Sequence, residues 1–174
     1  LLVPFVKGEN IFEIIDNGDG LTREEMLDLR KIGVSKKSKE KVGFRGIGIW
    51  SGLFIADKII ISTSRRGERK RYIFTINAKG IRANFHTGKP LVDVLIKERN
   101  IKLEEETKSV DEHKTEVELH LIPEIAKKIR EEESEIKKLL AQTLPTPLHP
   151  NCPHRLEIED MIKENVPPSH YRYC

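Results

Sequence analysis

The chain has 174 residues, 37% of them hydrophobic and 34% charged, with a mean hydropathy of -0.47. A chain of this length buries roughly 70% of its unfolded surface on folding, so a core forms without disulfide or metal staples. No apolar run approaches the roughly 20 residues that span a bilayer, and the opening LLVPFVKGEN lacks the basic lead-in and sustained apolar stretch of a signal peptide. Thirty-one basic against 28 acidic residues leave a formal charge of only +3, too balanced to mark a nucleic-acid binder. Two cysteines, Cys152 and Cys174, do not make a disulfide framework, so the expectation is a cytoplasmic domain with no membrane contact.

Ile11–Asp16 is β-prone and runs into the turn formers Asn17, Gly18, Asp19 and Gly20. Thr22 with Glu25 at the third helical position is a capping box, so a helix is predicted from there to near Gly33. Between Arg30 and Arg45 seven basic residues face one acid, Glu40, among Gly33, Ser35 and Ser38, which reads as a basic loop. Gly43, Gly46 and Gly48 then open an apolar stretch, Ile47–Ala56, predicted as a buried helix with Trp50 and Phe54 in the core. Lys58–Thr63 and Arg71–Ile76 are strands joined at Arg65-Arg66-Gly67-Glu68, hence a hairpin. Arg65, Arg66, Arg69, Lys70 and Arg71 at its tip form either a nucleic-acid patch or a solubilising surface, and no aromatic interleaving supports base stacking. Thr115–Leu121 alternates cleanly, putting Val117, Leu119 and Leu121 on one face, with Asn100–Thr107 as its predicted partner strand. Pro123 starts a helix to about Gln142, with Ile125, Ile129, Ile136 and Leu140 on one stripe and a charged outer face. A tail broken by Pro145, Pro147, Pro150, Pro153, Pro167 and Pro168 follows, around a short helix near Ile158–Glu164. Strands interleaved with helices and hairpins predict an α+β two-layer domain.

Two glycine clusters flank the basic loop. Asp16-Asn17-Gly18-Asp19-Gly20 stands at a strand end, and Gly43-Phe44-Arg45-Gly46-Ile47-Gly48 at a helix start. Glycines at a helix start let backbone N–H groups approach an anion, and the helix dipole adds favourable potential. A carboxylate held at a strand end, Asp16, can accept a hydrogen bond from an exocyclic amine such as that of adenine. Cations on the loop between the clusters can close over phosphates. Singly, each feature has an ordinary reading: a turn, a bend before a helix, a solvated surface. A calcium loop fails, because with Gly20 at its sixth position the first and twelfth would be Ile15 and Met26, and neither ligates calcium. Order and separation together point to a nucleotide pocket with a lid.

The strings themselves carry a resemblance. Ile14-Ile15-Asp16-Asn17-Gly18-Asp19-Gly20-Leu21-Thr22 is similar to the Asp-x-Gly-x-Gly box of the GHKL ATPases, a superfamily that includes DNA gyrase, the ninety-kilodalton heat-shock chaperones, histidine kinases and MutL. The string GFRGIGIWSGLFIADKIIISTS, Gly43 to Ser64, resembles the second glycine box with its helix and strand. Its GFRG opening is similar to MutL, and its GIG start and ADK-plus-strand ending are similar to the chaperones. Lys114-Thr115-Glu116-Val117-Glu118-Leu119 resembles the last family element, usually Gly-Thr before a strand, from which Lys114 departs. The match spans about residues 10 to 122.

This resemblance implies a Bergerat-type fold, an α/β two-layer sandwich with a mixed, largely antiparallel sheet. It places the ATP-binding domain at residues 1–143, with a lid at about 28–45, and a proline-rich tail or the start of a following segment at 144–174. Asp16, within the box that includes Asn17 and Gly18, would bind the adenine amino group directly and through water, and Gly20 would let the backbone pass beneath the base. Gly43, Phe44, Arg45, Gly46, Ile47 and Gly48 would bring backbone amides to the phosphates. Ser35 and Lys36 would reach the phosphates from the lid, with Lys37 and Lys39 as competitors. Thr115 would contact Asp16 or the water beside adenine.

In the family, a helix before the first box carries a glutamate that activates water and an asparagine that holds Mg2+. Glu9 and Asn10 are adjacent and cannot share a helical face, and Glu157, Glu159, Glu164 and Asn165 include no Glu-x-x-x-Asn pair. Both catalytic residues are therefore expected upstream of residue 1, in a longer ATPase that couples ATP binding to lid closure and dimerisation or domain movement. The alternatives are a degenerate module that binds nucleotide without hydrolysing it, and a MutL-like DNA-processing component. ATP or ADP, a nucleotide-dependent homodimer and a protein or DNA client are the implied partners. Cys152-x-His154 and His170-x3-Cys174, near His149, supply zinc-type ligands, but the one-residue gap is irregular for a structural site and no metal is assigned.

Overall fold

Alternation of inward and outward side chains shapes the sheet. The computed structural model describes residues 2–4, 10–16, 18–31 and 48–132, together with 135, 159, 160 and 163. The chain forms two units, Leu1–Pro123 and Glu124–Cys174. The first holds a six-stranded sheet of β1 (Leu2–Pro4), β2 (Ile11–Asp16), β3 (Ala56–Ser64), β4 (Lys70–Ile76), β5 (Ile101–Thr107) and β6 (Thr115–Leu121), in the order β1-β2-β6-β3-β4-β5. Every ladder in it is antiparallel. Helices α1 (Arg23–Asp28), α2 (Gly48–Ser51) and α3 (Ala78–Ala83), a 3-10 turn at Gly52–Phe54 and a π-helical turn at Asp93–Lys97 complete this unit. Helix α4 (Pro123–Glu131) falls almost wholly in the second unit, with Ala126 buried. Most of the remainder of the helix predicted to Gln142 lies outside the described residues.

Register decides what the sheet presents. Phe12, Leu119 and Ile59 lie side by side across β2, β6 and β3, followed by Ile14, Val117 and Ile61, then Asp16, Thr115 and Thr63. One face thus runs from apolar to polar in three rungs. On β4 the same rungs continue as Ile76, Phe74 and Tyr72. Met26 of α1, Trp50, Leu53, Ile81, Val94 and Leu95 pack with these residues in one core. Full burial of a side chain of isoleucine or phenylalanine size contributes about 1.5–3 kcal/mol, which is what holds the helical layer to this face. On the opposite face Lys58, Ile60, Ser62, Ile73, Thr75, Glu116 and Glu118 are half-buried or exposed.

Of the expected strand at residues 100–107, Ile101–Thr107 does form one, but β5 pairs with β4 and not with β6, the partner expected for it. Strand β6 is central, between β2 and β3. Alternation marks a strand without naming its neighbour. Here the acidic run Glu104-Glu105-Glu106 suits a sheet edge, while inward-facing Val117 and Leu119 suit the middle.

The helix after the second glycine box is shorter than predicted. It tightens at Gly52, where a Cβ would come within 2.8 Å of Ile59 Cδ1. This change of pitch keeps Trp50 buried and turns Phe54 outward to 68% exposure, against the expectation that both enter the core. Phe54 meets Phe85 instead, ring centroids 6.5 Å apart. Helix α1 has the predicted capping box, Glu25 N–H donating to Thr22 Oγ1 at 3.2 Å and Thr22 N–H to Glu25 Oε2 at 2.8 Å, yet it ends at Asp28 rather than near Gly33.

Helix α3 and the π-helical turn are the elements that periodicity does not signal. Side-chain amides set them: Asn77 Oδ1 accepts the Gly80 N–H at 3.0 Å, Asn77 Nδ2 donates to Asn100 Oδ1 at 3.1 Å, and Asn100 Nδ2 donates to the Val94 carbonyl at 2.8 Å. Arg82 ties α3 to the start of β3, donating to the carbonyls of Leu53 and Ala56 and pairing with Asp57 at 2.5 Å.

Glu105 at the sheet edge accepts from Arg23 Nε at 2.6 Å and from Lys70 Nζ at 3.0 Å, linking α1 to β4 and β5. The Lys70 ammonium, and then the Arg23 guanidinium, hold the Glu105 carboxyl below its ordinary range, and Glu105 in turn raises Lys70. With the folded-state value below the unfolded one, the carboxylate's contribution to stability is complete above the unfolded value of about 4.3. It is lost as pH falls through the folded value. The stability gap between the wild type and Glu105→Gln, measured by urea unfolding, is expected to be full at neutral pH and to close as the pH is lowered through the folded-state value of the carboxyl. A gap that stays constant would assign the residue's contribution to packing.

Candidate functional site

Asp16 closes β2 and shapes the turn after it, its Oδ1 accepting the Gly18 N–H at 2.8 Å. Gly20 has φ of +73°, and a Cβ on it would stand 2.5 Å from the Ser64 carbonyl oxygen, so glycine is what lets the chain cross the end of β3. Beyond that crossing the Leu21 N–H donates to Thr63 Oγ1 at 3.0 Å, and Thr63 Oγ1 lies 2.9 Å from Thr115 Oγ1. Thr63 is fully buried, and among the described residues these two partners satisfy its hydroxyl. Ser64 secures the same corner: its N–H donates to the Lys114 carbonyl at 3.0 Å, and the Lys114 N–H donates to Ser64 Oγ at 3.1 Å.

Beside these rungs lies a cleft of about 390 Å³. Ile61, Val117 and Leu119 of the sheet line it from one side, and Leu29 and Ile49 from the helical layer. Ser51 and Thr115 supply its polar side chains. Neither is an acid or an amide, so the described lining has no donor set for Mg2+, and no step is assigned to that ion.

Of the residues expected in the site, Thr115 and Gly48 line this cleft. Asp16 stands opposite Thr115 in the β2–β6 ladder. Gly20 packs against Ser64, and Gly18 lines a second, polar cleft of about 220 Å³. Asn17, Ser35, Lys36, Gly43, Phe44, Arg45, Gly46 and Ile47 lie outside the described residues, as do Lys37, Lys39, Cys152, His154, His170 and Cys174. Thr63 was not anticipated. Its signal is present in the sequence: positions 59, 61 and 63 share the inward face, and the series changes from isoleucine to a hydroxyl at the third.

Two further charged groups border the region. On the opposite face of the sheet, carboxylate oxygens of Glu13, Glu116 and Glu118 lie within 4.8 Å of one another. A hydrogen bond between Glu116 and Glu13 raises the Glu13 carboxyl and lowers that of Glu116. At the hairpin tip, Lys70 pairs with Glu105, Arg71 with Glu112, and Arg65 loosely with Glu68 at 3.9 Å. Such pairing favours the solvated-surface reading of the tip over a nucleic-acid patch.

The family model for histidine kinase-, DNA gyrase B-, and HSP90-like ATPases matches residues 2–115, well over half of the chain. The chain belongs to this family. Its helix-covered antiparallel sheet is accordingly the α/β Bergerat-type fold of the GHKL ATPases. Among curated proteins it is similar to the chaperone protein HtpG of Rickettsia canadensis, 28% identical over 120 residues that make up 61% of this chain and 19% of that protein. HtpG of Escherichia coli K12 is 31% identical over 81 residues, 38% of this chain and 13% of the relative. HtpG of Rhodopseudomonas palustris is 26% identical over 82 residues, 40% of this chain and 13% of the relative. The chain thus spans less than a fifth of the length of these relatives. Membership of an ATPase family, with the likeness to HtpG, supports ATP binding. Among the described residues no helix is long and apolar enough to cross a membrane.

Proposed function

We propose that the chain is the ATP-binding domain of a GHKL ATPase and holds adenine in the cleft beside β2, β3 and β6. The observation that carries this reading is the passage along one sheet face from the Ile14-Val117-Ile61 rung to the Asp16-Thr115-Thr63 rung. A purine has apolar faces and a polar edge, and the surface offers a match for each in turn. The cleft, about 390 Å³, falls within the usual span of ligand pockets. Asp16 accepts from the exocyclic amine, with the Thr115 hydroxyl beside it. Gly43, Gly46 and Gly48 bring backbone amides to the phosphates, and Ser35 and Lys36 reach them from the lid. Nucleotide binding then closes the lid and drives dimerisation or domain movement, and the likeness to HtpG makes a chaperone acting on a protein client the favoured parent.

Calorimetric titration is expected to show ATP and ADP binding at one site per chain, with GTP excluded. Guanine presents a carbonyl where adenine presents the amine to Asp16, and an acceptor facing an acceptor is disfavoured. Equal binding of GTP would remove Asp16 from the base edge. No heat and no thermal shift with ATP would sink the proposal.

A further inference from the structure

We propose that the polar cleft beside Gly18 and Asp19 binds a small phosphate that carries a proton. This cleft, about 220 Å³, is lined by Gly18, Asp19, Arg65, Arg66 and His113 and shares no lining residue with the apolar cleft. Arg66 Nη2 lies 3.0 Å from His113 Nε2. The guanidinium donates and that ring nitrogen accepts, so the neutral ring carries its N–H on the other nitrogen. Arg66 has no carboxylate partner among the described residues, and the Arg65 guanidinium is 3.9 Å from its nearest, Glu68. Two guanidinium forks on one small cleft are the side chains best matched to an oxyanion.

The segments that carry these donors are held together. Lys108 Nζ donates to the carbonyls of Glu68 at 2.7 Å, Ser109 at 3.0 Å and Arg65 at 3.2 Å, and also to that of Glu112. Gly67 N–H donates to the Val110 carbonyl at 3.3 Å. One ammonium therefore locks the β3–β4 turn, with Arg65 and Arg66, to the β5–β6 loop, with His113. Donors fixed in place before binding lose little freedom on binding.

Asp19 decides which anion fits. Its carboxylate has no hydrogen-bond or ion-pair partner among the described residues, and a carboxylate only accepts. An anion lying against it must bring its own proton. Inorganic phosphate at neutral pH keeps at least one proton and sulfate keeps none, so Asp19 admits the first and repels the second.

The test titrates the chain with inorganic phosphate, with sulfate and with a phosphoserine peptide, following the His113 ring by NMR and affinity by calorimetry. Phosphate is expected to move the His113 resonances and sulfate to leave them in place. Arg66→Gln is expected to weaken phosphate binding about tenfold or more, with ADP affinity unchanged as a check that the variant is folded. Asp19→Asn is expected to let sulfate bind comparably to phosphate. Response to inorganic phosphate alone names the free ion as ligand, and response to the peptide as well shows that a monoester enters. Wild-type His113 unmoved by either phosphate, equal affinity for sulfate, or an Arg66→Gln variant that melts earlier but binds phosphate as before would each overturn the proposal. ADP binding does not depend on any of these outcomes, so this site and the nucleotide cleft fail separately.

Discussion

Replacing Asp16 by asparagine is expected to weaken ATP binding by about ten- to a hundredfold while leaving the thermal melting of the empty chain nearly unchanged. Asparagine keeps Oδ1, so the turn bond to the Gly18 N–H, 2.8 Å in the wild type, can still form. The β2–β6 ladder, in which residue 16 faces Thr115, uses backbone groups and does not depend on the carboxylate. What is lost is a charged acceptor, and what appears in its place is an amide NH2 that can face the adenine NH2 donor to donor. A hydrogen bond to a charged group contributes about 1.5–3 kcal/mol, which spans roughly that range of affinity. Calorimetry of both proteins with ATP checks it. Full affinity in the variant would mean that Asp16 does not hold the base, whatever else the cleft binds.

Gly20→Val is expected to cost at least about 4 kcal/mol of stability, a large part of the 5–15 kcal/mol typical of a folded domain. Three effects add. The residue sits at φ +73°, where a β-branched side chain is an outlier. The added Cβ would meet Ser64 O at 2.5 Å and Ser64 C at 2.9 Å, both backbone atoms of β3 that cannot swing aside. Any retreat of the chain would also break the bond from Leu21 N–H to the buried Thr63 hydroxyl. Gly67→Val is the control: φ there is +79°, but nothing lies within 4 Å of the added Cβ, so only the backbone strain remains. Urea unfolding of the two variants should separate them clearly. Equal losses would show that the approach to Ser64 is not what demands glycine at position 20.

These expectations rest on parts of the molecule that were legible to different degrees. The Thr22–Glu25 capping box, the β3–β4 hairpin and the inward set Val117, Leu119 and Leu121 can be read from windows of a few residues, because caps, turns and alternation are local. Asp16 and Gly20 were reachable through the first glycine box, and Thr115 through the resemblance of residues 114–119 to the last family element. Thr63 is marked in the sequence only as the hydroxyl that ends the inward series 59, 61 and 63, and its partner Thr115 becomes known only from the pairing across the sheet. Phe54 misled, because spacing from Trp50 assumes one helical pitch and the chain changes pitch at Gly52. Lys108, one cation among 31 Lys and Arg, has no local mark, because its role is to meet carbonyls from two separate loops.

By itself, then, the amino-acid sequence determined the strands and caps of the sheet region, the two glycine clusters around a basic segment, and the superfamily to which those boxes point. Only the tertiary structure decided that β6 lies at the centre and β5 at the edge, that Asp16, Thr115 and Thr63 share one rung, and that Arg66 and His113 meet in a second cleft. The reason is the range of the forces involved. Propensity, capping and alternation act between residues a few positions apart. Strand order and side-chain meeting points are settled by burying whole faces against each other, a free energy that no local window of the chain contains.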